Sequence, residues 1–185
     1  VVALARRGQD LLEDWENLSL AFEGTLFARG TTWHPDERTK LLTERGGNQV
    51  IIDTTIAKNG DVCLRRIDTR IRARVTDADQ LKFALHGDRP PSFSRYYPVV
   101  EGFSVGERPK RKDWILRSDE PARVTRRFVP EVCRRIEALE PLDVSRNDTF
   151  VTVTLRGVVS DRRALEAALE IAVVLARPFN VAPYR

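Results

Sequence analysis

Val50-Ile-Ile-Asp-Thr-Thr-Ile-Ala57, then Lys58-Asn-Gly-Asp61, then Val62-Cys-Leu-Arg-Arg-Ile-Asp-Thr-Arg-Ile-Arg-Ala-Arg-Val75 is the stretch whose reading decides the fold. Two β-branched runs flank an Asn-Gly pair. Asn59 and Gly60 both tolerate positive φ, the requirement of a two-residue type I′ hairpin turn. Such a turn sets Ala57 opposite Val62, Ile56 opposite Cys63, Asp53 opposite Arg66 and Ile52 opposite Ile67. Opposed residues share a face of a sheet. One face then holds Val50, Ile52, Ile56, Cys63, Ile67, Ile71, Ala73 and Val75, a core face. The other carries Asp53, Arg66, Asp68, Arg70, Arg72 and Arg74.

Outward from this hairpin, the N-terminal segment spaces Leu4, Gly8, Leu11, Leu12, Trp15 and Leu18 as an amphipathic helix. The alternation of Leu18, Leu20 and Phe22 predicts a strand running on to Phe27. Residues 30–47 read as a loop, with a helical turn from Pro35 to Leu42. A third strand carries Leu81, Phe83 and Leu85 on one side and Gln80, Lys82 and His86 on the other. Consecutive prolines at 90 and 91 cannot join a sheet interior. Residues 89–112 therefore read as a Pro, Gly and basic linker, with a short strand at Val99–Val105. It separates an N-terminal helix-plus-sheet half, 1–88, from a β-α-β-β-α half, 113–185, within one compact domain.

In that second half Trp114 to Arg117 forms a short strand. Ser118-Asp-Glu-Pro121 opens a helix with an acidic cap, and Pro130 restarts it. Leu142 and Val144 lead to a turn at Asn147-Asp148, and Val151, Val153 and Leu155 return. Ser160-Asp161 caps a last helix, stopped at Arg177-Pro178. The expectation is an α+β fold: mainly antiparallel sheet built from hairpins, helices on one face, two loosely similar halves.

Trp114-Ile-Leu-Arg-Ser-Asp-Glu-Pro121, Pro130-Glu-Val132 and Gly157-Val-Val-Ser-Asp161, with the helix from Leu165 to Ala176, resemble a motif string of uncharacterised bacterial proteins. These carry a domain of unknown function often found near membrane segments. The resemblance covers about the last 75 residues. It implies a fold and a bacterial origin, and it brings no catalytic residues. The basic loop from Arg108 to Lys112 and the long segment from Gly30 to Gly47 depart from it.

The 185 residues carry 31 Lys+Arg against 27 Asp+Glu, a net charge of +4, with 42% hydrophobic residues. That composition supports a globular core and excludes collagen-like, coiled-coil-only and wholly disordered chains. It does not by itself call for nucleic acid. No Met occurs and Val1 opens the chain, which fits either a fragment or a chain read without its modified methionines. Cys63 and Cys133 stand alone, too few for a disulfide scaffold, and read as small core residues of a reducing compartment. No run approaches a membrane span.

The search for chemistry is negative. His34 and His86 have no second ligand at metal spacing, and no nucleophile, phosphate-loop or zinc motif occurs. No cofactor, metal or catalytic residue is expected. Asp10/Asp14 and Asp119/Glu120 read as helix-surface and helix-start residues. Two features can bind. Guanidiniums of Arg66, Arg70, Arg72 and Arg74 project together and can grip phosphates, unless Asp53 and Asp68 neutralise them. Arg108, Lys110, Arg111 and Lys112 can steer anions such as nucleic acid or anionic lipid. The end of the last helix, with Ile171, Val174 and Leu175, is apolar almost all round and must be buried or face a partner or a second copy. The preferred reading is a non-enzymatic interaction or regulatory module, cytoplasmic or on the cytoplasmic face of a membrane. The alternatives are an anion-binding domain using the arginine face, and an enzyme assembled from scattered acids and His86.

Overall fold

The computed structural model describes residues 2–28, 39–57, 66–76, 80–87, 91–105 and 114–178. Its order is α1 (Val2–Ala21), β1 (Thr25–Phe27), β2 (Lys40–Arg45), β3 (Asn48–Ala57), β4 (Arg66–Arg74), β5 (Phe83–His86), β6 (Ile115–Ser118), α2 (Pro121–Val124), α3 (Pro130–Leu139), β7 (Asp143–Arg146), β8 (Phe150–Arg156) and α4 (Arg162–Ala176). The fold is α+β. All eight strands form one antiparallel sheet in the order β1-β2-β3-β4-β8-β7-β5-β6, and the helices pack against it. β5, from before the linker, lies between β7 and β6, which come after it. Strands from both sides of residues 89–112 thus share one sheet.

The central ladder corrects the expected register. Ile52 lies opposite Ile71, Asp53 opposite Arg70 and Ile56 opposite Ile67. Pairing is displaced by four residues from the one that a tight Asn59-Gly60 turn imposes. Asn59, Gly60 and Cys63 lie outside the described residues. An even displacement keeps every side chain on its own face, because strand periodicity is two. The face assignment therefore holds while the partners change.

The tight turn of this region is Gly46-Gly47. Arg45 pairs with Asn48, and both glycines have positive φ, +57° and +78°. This is the two-residue geometry that joins twisted antiparallel strands without splaying them. It makes β2 a strand where a loop and helical turn are expected from sequence. His34 and Pro35 lie outside the described residues. Gly46 also admits a close neighbour: a Cβ there would meet Arg177 Nη2 at 2.5 Å.

A second correction concerns α1, which continues through Leu18 and Leu20 to Ala21 instead of yielding to a strand. Leu12, Trp15, Leu18 and Phe22 are buried and Leu20 is 78% exposed. Period 3.6 fits that pattern and period 2 does not. The Phe22 carbonyl then accepts from the Thr43 hydroxyl at 2.7 Å, tying the helix end to β2. Near the linker only Val99 bridges to Arg117, so the expected strand from Val99 to Val105 reduces to one isolated pair.

α4 lies across β3, β4 and β8. Leu165, Ile171, Ala172 and Leu175 pack there with Val50, Ile52, Ile71, Val151 and Val153, all within one buried core. Phe128, after α2, extends that core through edge-to-face contacts with Phe83 (5.3 Å) and Phe103 (5.2 Å). The Asp161 carboxylate accepts from Ala164 N–H at 2.9 Å and caps α4 as expected. The expected acidic cap of α2 is absent. Asp119 instead accepts the Lys82 amide at 2.9 Å, and the Ser118 hydroxyl accepts from Glu120 N–H at 3.1 Å.

Candidate functional site

The ladder registers place a polar row on the sheet face opposite α4. Lys40, Asp53, Arg70, Thr154, Asp143 and His86 lie at one level across β2, β3, β4, β8, β7 and β5. Beside it run Arg72, Thr152, Ser145, Ala84 and Arg117. The arginine strand is thus fourth of eight in the sheet, and alternation along it puts Arg70 and Arg72 on this face.

Its guanidiniums are matched to carboxylates. Arg70 grips Asp53 in a fork, Nε to Oδ1 at 2.9 Å and Nη2 to Oδ2 at 3.1 Å. Arg72 Nη2 donates to the same Asp53 oxygen and lies over the Phe150 ring at 5.4 Å. Asp53 is only 1% exposed beneath the two. Two cations share one buried anion, which holds both on a rigid frame. Arg66 Nε donates to Asp68 at 2.9 Å. Asp68 is itself buried and accepts from Gly157 N–H at 3.2 Å. Thr69 donates to the Gly157 carbonyl at 2.8 Å and accepts from Val159 N–H at 2.9 Å. These bonds lock the link that launches α4 onto β4. Arg74 is exposed at the end of the strand. Arg108, Lys110, Arg111 and Lys112 lie outside the described residues. Ile171 and Leu175 are buried in the chain's own core, and Val174 is 40% exposed.

Two buried arginines have roles without a local sequence signature. Arg146 is fully buried on the α4 face, and its Nη1 donates to the Leu175 carbonyl at 3.0 Å. Arg127 donates to the Arg177 carbonyl. The last carbonyls of a helix have no partner within it and carry partial negative charge. Both arginines therefore act as tethers for the end of α4. Arg146 follows Val144 in an alternating strand, so its inward position was legible. The helix carbonyl that it bonds comes from 29 residues away.

His86 ends the polar row and is 1% exposed. Its Nδ1 faces the Gly87 carbonyl at 2.5 Å, which makes Nδ1 the protonated nitrogen and leaves Nε2 the acceptor. Burial first, then the nearby Arg117 charge, push the imidazole below its ordinary value of 6.5, against the Gly87 bond that raises it. The unfolded chain therefore takes the proton first as pH falls. The His86 contribution to stability is complete above pH 6.5 and is lost as pH drops toward the folded-state value. Urea melts at pH 7.5 and 5.5 should show a smaller loss at the acid pH in His86→Gln than in the unsubstituted chain. Equal losses would exclude this role. Burial pushes the Cys133 thiol up, away from the thiolate a nucleophile needs.

Among the described residues no group of three His, Cys, Asp or Glu side chains is placed to hold a metal. Nor, among them, is any helix long and apolar enough to cross a membrane. No family model and no curated protein matches the chain. The eight-stranded order with its helices does have a counterpart among solved structures. The fold is similar to that of TtfA. That crystal structure, of the mycobacterial trehalose monomycolate transport factor A, matches with a TM-score of 0.59 over 90% of this chain and 92% of the other. Identity is 11%, so the likeness to TtfA is one of fold. It extends well beyond the C-terminal segment on which the sequence resemblance rests.

Proposed function

We propose that this chain is a non-enzymatic interaction module of a bacterial protein assembly, and that its TtfA-like fold serves an assembly for envelope lipid transport. The observation that carries this reading is the pairing of charge on the sheet. Asp53 is engaged by Arg70 and Arg72, and Asp68 by Arg66 and the Gly157 amide. Those side chains hold strands in place and offer a partner shape and fixed charge. A reaction, by contrast, needs a positioned group with bonding capacity to spare. The TtfA likeness supports the same reading, since that protein is described as a transport factor.

A photo-activatable residue placed at an exposed position such as Tyr96 (93% exposed) or Val129 (47%) tests this in the cells that make the protein. A discrete adduct with a component of a transport assembly is the expected result. Uncross-linked chain at every exposed position would overturn it. Arg74, exposed at the end of the arginine strand, favours a second reading as an anion-binding domain. That reading requires oligonucleotide binding that falls steeply with added salt.

A further inference from the structure

We propose that the outward face of α1 docks a basic amphipathic segment of a partner protein, an inference that rests on the interaction-module reading and names its surface. Residues 9–27 contain Asp10, Glu13, Asp14, Glu16 and Glu23 and no Lys or Arg, on a chain of net charge +4. The helix buries Leu12, Trp15 and Leu18, and so turns Asp10, Glu13, Asp14, Glu16 and Asn17 to solvent. Leu20 stands among them at 78% exposure. At 100° per residue it falls between Glu13 and Glu16 around the helix axis. The face is therefore acidic along its length, with one large apolar side chain toward its C-terminal end.

Several acids on the other helices sit in ion pairs. Glu120 pairs with Arg123 at 2.8 Å, Glu131 with Arg134 at 2.6 Å, and Glu166 with Arg162 at 2.7 Å. Among the described residues the α1 carboxylates have no such ion pair. Like charges three or four residues apart, as in Asp10/Glu13, Asp10/Asp14 and Glu13/Glu16, each destabilise a helix by a few tenths of a kcal/mol. Glu23, at φ +50°, lies just beyond the helix C-terminus, whose partial charge is also negative. A cationic segment relieves this repulsion, and an apolar residue on it covers Leu20. Anionic membranes and nucleic acids meet the same face with repulsion.

The probe is a fluorescein-labelled peptide with Lys and Leu at helical spacing, titrated by anisotropy against the full chain. Binding should weaken with added salt. It should weaken about tenfold in the double variant Glu13→Lys/Glu16→Lys, because charge reversal at a docking surface suppresses the encounter and the complex together. Leu20→Ser should lose several-fold, and a peptide with Ser for Leu should bind the unsubstituted chain less well. All three substituted positions are exposed, and circular dichroism is the check that the variants fold. Unchanged affinity in both variants, or no binding at low salt, overturns the proposal. So does light scattering showing that the substitutions dissolve a self-assembly of this chain. Cross-links through Tyr96 or Val129 with none at Leu20 would retain the interaction module and remove this surface. No cross-link at any exposed position would remove both.

Discussion

Asp53→Ala is expected to destabilise the fold by about 3 kcal/mol, one of the two largest effects among the charged residues. The carboxylate is 1% exposed and is gripped by Arg70 and Arg72. Its removal takes from Arg70 and Arg72 the buried carboxylate that both of them bond. Those guanidiniums keep 20% and 25% exposure, so water moderates the penalty below that of a fully enclosed pair. For a chain of this length the loss corresponds to about 10 °C in melting temperature. The triple replacement Asp53→Leu, Arg70→Met and Arg72→Met should recover much of it, because an apolar set of similar volume needs no neutralisation. A triple variant no more stable than the single one would show that Asp53 acts by other means than charge matching.

Arg146→Met should cost about as much, about 3 kcal/mol, by a different route. Here the guanidinium holds the Leu175 carbonyl at the negative end of α4 in a fully buried setting. Met fills part of the volume but cannot donate, so the carbonyl stays buried without that bond. Hydrogen exchange should locate the damage. The last turn of α4, from Val173 to Ala176, should lose protection first, while the β2–β3 hairpin keeps its own. Uniform loss across the sheet would mean that Arg146 supports the core generally and does not tether the helix end.

The two residues differ in how far sequence announces them. Asp53 is identifiable as the acid of an arginine face, because alternation from Val50 onward sorts the side chains correctly. Its partner is not, since the Asn59-Gly60 pair points to Arg66 and the ladder chooses Arg70. The described strands pair over eight positions in that register, and the connection between them lies outside the described residues. The Gly46-Gly47 signal was equally visible, but Leu41-Leu42 breaks the alternation of β2 and hides the strand before it. Helix α1 shows the opposite ambiguity. Leu18 and Phe22 fit both a period of two and a spacing of four, and only the outward position of Leu20 separates them.

What sequence could not supply is nonlocal. β5 resembles a third strand of a meander, yet it crosses the sheet to lie between β7 and β6. Its two neighbours come from residues 115–118 and 143–146, far along the chain, so the choice is a property of the whole fold. The same limit applies to Arg127 and Arg146. Each bonds a carbonyl near the end of α4, so neither role has a local signature. The acidic outward face of α1, in contrast, was present in residues 9–27 from the start, and burial of Trp15 only revealed its direction.

The central claim is that this fold acts by docking to another protein. In-cell photo-cross-linking from Leu20, Tyr96, Val129 and Val174, all exposed, tests it most directly. The account predicts a discrete adduct with one protein of a transport assembly, formed through Leu20 and lost in Glu13→Lys/Glu16→Lys. Recovery of only the uncross-linked chain from all four positions would contradict it.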